Sequence, residues 1–161
     1  MYKITIISLG QAKEKYFVAA INEYLKRLKP YARVDLIELK AEPFGVSNKA
    51  AAQKIEAERV EKYLGKYTAA RSGAYNSARI FLLDERGAEM TSVEFAQRLD
   101  KITGEIIFVI GGALGFAPDL LKKYPKFSLS KMTYLHEMAK VILLEQIYRA
   151  VTIIKGKSYH Y

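Results

Sequence analysis

Two stretches lie in the last third of this chain, one rich in glycine and the other in serine and threonine. Their residue types are those expected where a ligand binds at the edge of a sheet. The first, IIFVIGGALGF at 106–116, is an apolar run that stops at two glycines. The second, FSLSKMTY at 127–134, intersperses hydroxyl side chains with apolar ones. A buried parallel strand feeds a loop at its carboxyl end, and ligands of open α/β sheets bind at that end. The two stretches therefore predict a cofactor cleft.

The glycine stretch disfavours two common nucleotide sites. GGALG at 111–115 is not followed by the Gly-Lys-Ser/Thr of a phosphate-binding loop, which disfavours a nucleotide triphosphatase. It also lacks the G-x-G-x-x-G pattern, and too little chain follows it to complete a doubly wound dinucleotide fold. A tight structural turn and a ligand-binding loop both remain open for these residues.

The hydroxyl-rich stretch also has two interpretations. Ser128, Ser130 and Thr133 surround Lys131 and Met132 without an apolar period, so the backbone polar groups need partners. A flat heteroaromatic ring could supply them. The residues alone favour an ordinary strand-to-helix connection in which Thr133 caps the last helix.

The chain ends in an aromatic and polar tail. His160 could accept a proton or contact a phosphate, and Tyr159 and Tyr161 could stack on bases. Such a terminus is disordered unless it is docked. His136 is expected at the start of the last helix, where a buried structural histidine or a cap partner is favoured over a catalyst.

The charge pattern suggests a polyanionic partner. The net charge is +9, with eight basic and three acidic residues in 118–161 and seven basic and four acidic residues in 1–39. Such basic ends suit phosphate contacts, although a solvated basic surface is the alternative. Arg149 lies four residues after Glu145, so it could either form an ion pair within the helix or contact RNA or a partner subunit.

Composition excludes several chemistries. There is no cysteine, which rules out disulfides, thiolate nucleophiles and cysteine-ligated zinc. With two histidines in the chain, no metal site is expected. No signal peptide and no run as long as a membrane span is present, so we expect a cytoplasmic protein.

Expected strands and helices alternate, which predicts one α/β domain with a mainly parallel sheet. The expected strands cover 3–9, 34–39, 79–84, 106–110 and 126–129, the second being less buried; the expected helices cover 14–28, 48–64, 91–102, 118–123 and 135–154. Thr91 and Glu94 have capping-box spacing, and 65–78 is expected to be a loop. The last helix has more apolar positions than one stripe, which predicts a homodimer interface.

Four stretches make the whole chain resemble the SPOUT-class methyltransferases. They are KITIISLGQAKEKY at 3–16, FVIGGALGF at 108–116, LSKMTYLHEMAKVILLEQIYRA at 129–150 and YH at 159–160. Within the class, the chain is similar to the small bacterial enzymes that methylate N3 of a pseudouridine in 23S ribosomal RNA. The resemblance implies a single SPOUT domain over 1–161 with a C-terminal trefoil knot, S-adenosylmethionine bound in the knot, and a homodimer.

The resemblance also implies a set of site residues. The cofactor would contact Leu83, Gly111, Leu129, Ser130, Lys131, Met132, Thr133 and Tyr134. His160 and Tyr159 are the catalytic candidates, with His160 as the base, or the group that positions the base, for the N3 proton. RNA contacts are expected from Arg149, Lys140 and His136. Lys140 stands where the family commonly has arginine, so it keeps the charge but not the planar fork.

The substrate implied by the resemblance is ribosomal. A chain of 161 residues has no obvious separate RNA-binding domain, so the assembled ribosome is expected to orient the enzyme. The same chemistry on another RNA, such as a tRNA, is one alternative. The other is a ribosome-binding module that has kept the fold without the chemistry.

Overall fold

The computed structural model describes residues 1–43, 48–69 and 79–161, and strands and helices alternate through them. The elements are β1 (Tyr2–Leu9), α1 (Lys15–Leu28), β2 (Ala32–Leu39), α2 (Lys49–Ala69), β3 (Arg79–Ala88), α3 (Ser92–Asp100), β4 (Glu105–Ile110), α4 (Pro118–Lys123), β5 (Lys126–Phe127) and α5 (His136–Ile154). The expected alternation is therefore confirmed.

The five strands of the described residues form one sheet in the order β2-β1-β4-β3-β5, with every neighbouring pair parallel. In the register, Ile6 of β1 lies opposite Leu36 of β2 on one side and Phe108 of β4 on the other. A parallel sheet needs both faces covered, because its connections are crossover helices. The predicted α/β sheet flanked by helices is confirmed.

Strand β4 shows how the two faces are covered. Ile106, Phe108 and Ile110 pack in a cluster with residues of α1, α3 and α5, whereas Ile107 and Val109 pack with residues of α2 and α4. This alternation follows from the two-residue period of a strand. Each such fully buried side chain contributes roughly 1.5–3 kcal/mol. The core therefore fixes the carboxyl end of β4, where the glycine stretch begins.

Two local predictions are confirmed. Strand β2 lies at an edge of the sheet and is less buried than β1. Thr91 caps α3: its Oγ1 accepts from the backbone N of Glu94 at 3.2 Å, and the Glu94 carboxylate accepts from the backbone N of Thr91 at 2.7 Å. This reciprocal pair satisfies two free N–H groups at the start of the helix.

Several predicted boundaries are wrong. Helix α2 continues to Ala69, through part of the expected loop, because Tyr63 and Tyr67 pack against its core cluster and offset the low helix propensity of Gly65. Residues 70–78 of that loop lie outside the described residues. Strand β3 extends to Ala88, and β5 stops at Phe127 instead of 129.

Strand β5 is a two-residue edge strand that pairs with β3. The backbone N of Leu82 donates to the carbonyl of Pro125 at 2.9 Å, and the backbone N of Ser128 donates to the carbonyl of Ala88 at 3.0 Å. After Ser128 the chain leaves the sheet towards α5. Across 1–43, 48–69 and 79–161, no helix combines the length and apolar character that a membrane crossing requires.

Candidate active site

A cleft of about 840 Å³ lies at the carboxyl ends of β3 and β4. Its walls are the end of β3 (83–86), the glycine loop (defined here as 111–116) and the connection from β5 to α5 (128–135), with Lys49 and Gln53 of α2 also lining it. This volume lies within the range of small-molecule and cofactor sites. The fold thus brings together the two stretches whose residue types suggested a cleft.

Most of the expected cofactor residues line this cleft. The lining ones are Leu83, Gly111, Leu129, Ser130, Met132, Thr133 and Tyr134. Lys131 is not among the lining residues: its side chain is 83% exposed, and its Nζ lies 3.6 Å from a carboxylate oxygen of Glu89. A contact from the Lys131 side chain to a ligand in the cleft would require the lysine to reorient.

The connection 128–135 uses its own hydroxyl groups to fold. Ser128 Oγ donates to the carbonyl of Ser130 at 2.8 Å, and Ser130 Oγ accepts from the backbone N of Met132 at 3.0 Å. The residue that caps α5 is Leu135, which makes no side-chain cap bond. The interpretation of Thr133 as the helix cap is therefore wrong, and Thr133 instead faces the cleft.

The glycine loop is packed tightly on its inner side. The backbone N of Gly115 donates to the carbonyl of Gly112 at 3.0 Å and closes a turn. A Cβ placed on Gly112 would make ordinary contacts with the Cβ of Leu9 at 3.4 Å and with Oε1 of Glu56 at 3.5 Å, so these two residues line the inner side of the loop. Glu56 is buried, and burial raises the pKa of its carboxyl.

Asp84 places a negative charge at the cleft wall. It follows Leu83 and accepts three hydrogen bonds from Arg86, from the backbone N at 3.0 Å and from Nε and Nη2 at 2.8 Å each. These bonds hold the pKa of Asp84 below its usual range, so its carboxylate is ionised at neutral pH. Sequence reasoning missed Asp84, although its place after the last apolar residues of a strand was a usable signal.

Two of the expected RNA-binding residues lie inside the protomer or in the cleft. His136 lines the cleft, and its Nε2 is buried with no hydrogen-bond partner among the described residues. Lys140 is 1% exposed, and its Nζ lies 2.7 Å from Oε1 of Glu38. Because a buried ammonium needs a paired anion, Lys140 faces an internal partner instead of the surface that an RNA contact requires.

The tail, defined here as 155–161, folds back along α5. Gly156 adopts a φ of +60°, the left-handed conformation that commonly ends helices. The backbone N of Gly156 donates to the carbonyl of Ile153 at 3.0 Å, and that of Lys157 donates to Thr152 at 2.9 Å. These bonds satisfy the last carbonyls of the helix and reverse the chain, so the tail is docked.

Tyr159 is the centre of the docking contact. Its hydroxyl donates to Oε1 of Glu145 at 3.3 Å and lies 3.5 Å from the hydroxyl of Tyr24, while its ring meets the edge of Tyr148 with centroids 4.7 Å apart. Burial, followed by the hydrogen bond with Tyr24 and the charge of Glu145, raises the pKa of Tyr159 well above its usual range. Tyr159 therefore stays protonated at neutral pH and serves as a donor, not as a base.

Arg149 connects the tail to the helix. Its guanidinium bonds to Oε1 of Glu145 through Nη2 at 2.7 Å and Nε at 3.0 Å, so the expected intrahelical pair forms. Its Nη1 lies 3.4 Å from Nδ1 of His160. Because arginine has no acceptor, Nδ1 accepts in this contact and the neutral ring carries its proton on Nε2.

Comparison with known proteins identifies the family of the chain. The family model described as "Predicted SPOUT methyltransferase" matches residues 2–160. The chain belongs to this family. The resemblance read from the sequence is thereby confirmed.

Relatives of this SPOUT methyltransferase match over their full length. Proteins named ribosomal RNA large subunit methyltransferase H are 40% identical in Ruminiclostridium cellulolyticum and 42% identical in Acetivibrio thermocellus, each alignment covering 98% of this chain and 99% of the relative. The protein of the same name from Carboxydothermus hydrogenoformans is 39% identical, with the same coverage.

A solved structure supports the fold. A probable methylase family protein from Haemophilus influenzae Rd KW20 superposes with a TM-score of 0.57 and 13% identity, covering 98% of this chain and 69% of that one. At this identity the likeness concerns the arrangement of strands and helices alone.

In this SPOUT methyltransferase, the cleft and the docked tail lie far apart along α5. His136, the first residue of the helix, lines the cleft, and Arg149, which holds His160, follows thirteen residues later. At 1.5 Å per residue this separation is about 20 Å along the axis. The protomer thus assembles the predicted cofactor residues in one place and the predicted catalytic residues in another.

Proposed function

We propose that this chain transfers the methyl group of S-adenosylmethionine to N3 of a pseudouridine in 23S ribosomal RNA, on the assembled ribosome. The observation that carries the proposal is the full-length identity of about 40% to relatives named as large-subunit ribosomal RNA methyltransferases. The cleft lined by the expected cofactor residues supports it independently. The pseudouridine and its N3 atom rest on the resemblance noted from the sequence.

The cleft suits this cofactor in size. Its volume is about 840 Å³, and the Asp84 carboxylate at its wall is paired with the Arg86 guanidinium at 2.8 Å, so the two charges offset each other. The glycine loop and the connection 128–135 offer backbone groups close to any planar ring between them, with Leu83 and Leu129 as apolar contacts. When bound, S-adenosylmethionine supplies a methyl carbon already activated by its sulfonium. The chain therefore has to align the reactants and exclude water.

His160 is the proposed proton acceptor for N3. In the docked tail, Nδ1 of His160 lies 3.4 Å from the donor Nη1 of Arg149, so this nitrogen faces the arginine instead of a substrate. Removal of the N3 proton requires His160 to leave Arg149. The hydroxyl of Tyr159 then positions the substrate as a donor.

The working enzyme is proposed to be a homodimer in which each tail serves the cleft of the other copy. The distance of about 20 Å along α5 separates His160 from the cleft of its own protomer. Large exposed apolar side chains lie on the connection and the first turn of α5: Met132, Tyr134, Leu135 and Met138. A second copy packing on them would bury this surface and complete the site.

The domain extent, the trefoil knot, the RNA contacts and the cellular location belong to the same proposal. A single domain over 1–161 with a trefoil knot is part of the proposal, and both rest on the family to which the chain belongs. Exposed Lys155 and Lys157, with Arg149, would hold RNA phosphates. A ribosomal substrate places the enzyme in the cytoplasm.

Radiolabelled S-adenosylmethionine tests the substrate class. We expect incorporation into ribosomes from cells that lack the enzyme, and little into protein-free 23S RNA. Stronger labelling of tRNA would support the alternative RNA substrate. If the cofactor does not raise the melting temperature and no RNA is labelled, the chain is a binding module and the proposed activity is wrong.

A further inference from the structure

Two side chains of α2, those of Gln53 and Glu56, lie against the glycine loop. Gln53 and Glu56 are three residues apart, and positions three apart lie on the same face of a helix. Neither residue belongs to the stretches that the family resemblance assigned to the cofactor.

Gln53 donates hydrogen bonds to the second half of the glycine loop, residues 114–116. Its Nε2 donates to the carbonyl of Leu114 at 2.8 Å and lies 3.4 Å from the carbonyl of Phe116. One amide group can make both bonds because it carries two hydrogens. The two carbonyls bracket Gly115, so Gln53 spans the turn that closes the loop.

Glu56 supports the proximal half. Its residue is 2% exposed, and both carboxylate oxygens lie within 3.6 Å of the position that a Cβ on Gly112 would take. Oε1 accepts from the backbone N of Glu42 at 2.9 Å, whereas Oε2 is buried with no hydrogen-bond partner among the described residues. Glu56 thus holds the segment after β2 by a hydrogen bond and places its carboxylate beside Gly112.

We propose that Gln53 and Glu56 form a clamp that positions the glycine loop for the cofactor. The clamp keeps the backbone of 111–116 in the conformation that binds S-adenosylmethionine before the cofactor arrives. Preorganisation of this kind raises affinity because less ordering remains to be done on binding. This inference rests on the proposed function and adds two positioning residues to it.

A merely structural role is a weaker explanation for the same contacts. A buried carboxyl with an unpartnered oxygen destabilises a fold, and an apolar side chain of similar length would fill the space at lower cost. Gln53 is only half-buried and lines the cleft, so its bonds to loop carbonyls add little to the core. The positions of Gln53 and Glu56 are therefore better explained by a role in shaping the glycine loop than by a role in stabilising the fold.

Methionine substitutions test the clamp with matched controls. Gln53→Met and Glu56→Met keep the length of each side chain and remove its hydrogen-bonding groups. Lys54→Met and Glu58→Met make the same kind of change at exposed positions of the same helix. For each variant we would measure the dissociation constant for S-adenosylmethionine by calorimetry, the amide hydrogen exchange of 111–116 without cofactor, and the melting temperature.

We expect Gln53→Met to weaken cofactor binding about tenfold and to speed exchange in 111–116, with the controls unchanged. Glu56→Met should do the same, and its exchange should rise most near Gly112. Wild-type affinity and wild-type exchange in both clamp variants would overturn the inference. A lower melting temperature with unchanged affinity would overturn it too, because it would assign the residues to stability. If Glu56→Met does not fold, Gln53→Met decides the question.

The design separates this inference from the proposed function. If the wild-type protein binds no S-adenosylmethionine, the proposed function fails, and hydrogen exchange of 111–116 still decides whether the clamp holds the loop. If the wild-type protein binds the cofactor and the clamp variants bind it equally well, the clamp alone is wrong.

Discussion

The Nη1 atom of Arg149 lies 3.4 Å from Nδ1 of His160, while Nη2 of the same guanidinium lies 2.7 Å from Oε1 of Glu145. One arginine therefore joins α5 to the tail, with a donor facing Nδ1 of His160. Together with the edge-on contact of the Tyr159 and Tyr148 rings, this contact holds the tail against its own protomer. The tail has to be released before His160 can act as a base.

Replacing His160 by alanine should lower methyl transfer by about 10²–10⁴-fold, the usual contribution of a general base. The dissociation constant for S-adenosylmethionine should hardly change, because His160 lies far from the cleft of its protomer. Single-turnover kinetics and calorimetry measure the two quantities. Ser158→Ala, an exposed change in the same tail, is the control. Full activity in His160→Ala would remove the catalytic role.

Mixing two inactive variants should restore activity if the tail acts across a dimer. Gly111→Val would impair the cleft, because Gly111 lines it and valine would add two methyl groups beyond a Cβ that already contacts the ring of Phe116 at 3.4 Å. Randomly re-formed dimers of Gly111→Val and His160→Ala would contain one intact site in each mixed dimer, which gives about a quarter of wild-type activity. If subunit exchange is demonstrated and no activity is recovered, the tail serves the cleft of its own protomer.

Asp84→Asn should destabilise the fold by about 2 kcal/mol at pH 7, because it weakens a charge-assisted set of bonds to Arg86. The folded pKa of Asp84 is lowered, so its stabilisation is full above the unfolded value of about 3.9 and is lost as pH falls through the lower folded pKa. Urea unfolding across pH should show the difference shrinking below about pH 4. Glu85→Gln, at an exposed neighbour, is the control, and a loss independent of pH would contradict the assignment.

The buried ion pair of Lys140 and Glu38 predicts an asymmetry between its two truncations. Glu38→Ala leaves an ammonium that is 1% exposed without its partner, and should cost about 3 kcal/mol. Lys140→Met leaves a carboxylate that is 32% exposed and can be hydrated, so it should cost less. Urea unfolding of both variants, with Asp35→Ala on the same strand as control, would show this order; equal costs would argue against it.

The same lysine bears on RNA binding. A lysine that contacts a phosphate contributes about one unit to the slope of log affinity against log salt. Because Lys140 is internal, Lys140→Met should leave the slope for ribosome binding unchanged. A slope reduced by one unit would show that Lys140 leaves Glu38 and meets the RNA.

The parts of the fold that the sequence predicted are those with a local period. Strand β4 and helix α4 were placed within one residue, because apolar runs and a leading proline mark them directly. The capping box of α3 was likewise readable. The end of α2 was not, because Tyr67 packs on a core that only the folded chain assembles. The order of the strands has no local signal either.

The residues of the candidate site also fall into those that the sequence indicated and those that it did not. Gly111 and Ser130 line the cleft, and residue types next to a strand end had indicated that region. Gln53 and Glu56 were not, since a polar residue on a charged helix looks solvated until the loop it touches is in place. Lys140 was misplaced for the opposite reason: the sequence shows its charge, but its partner Glu38 is 102 residues away.

The most direct test of the account is to map methyl groups on ribosomal RNA. Purified protein would be incubated with S-adenosylmethionine and ribosomes from cells that lack this enzyme, and RNA fragments would be analysed by mass spectrometry. The account predicts one new methyl group on a pseudouridine of 23S RNA, absent when His160→Ala replaces the wild type. No new methyl group on large-subunit RNA, despite demonstrated cofactor binding, would contradict it.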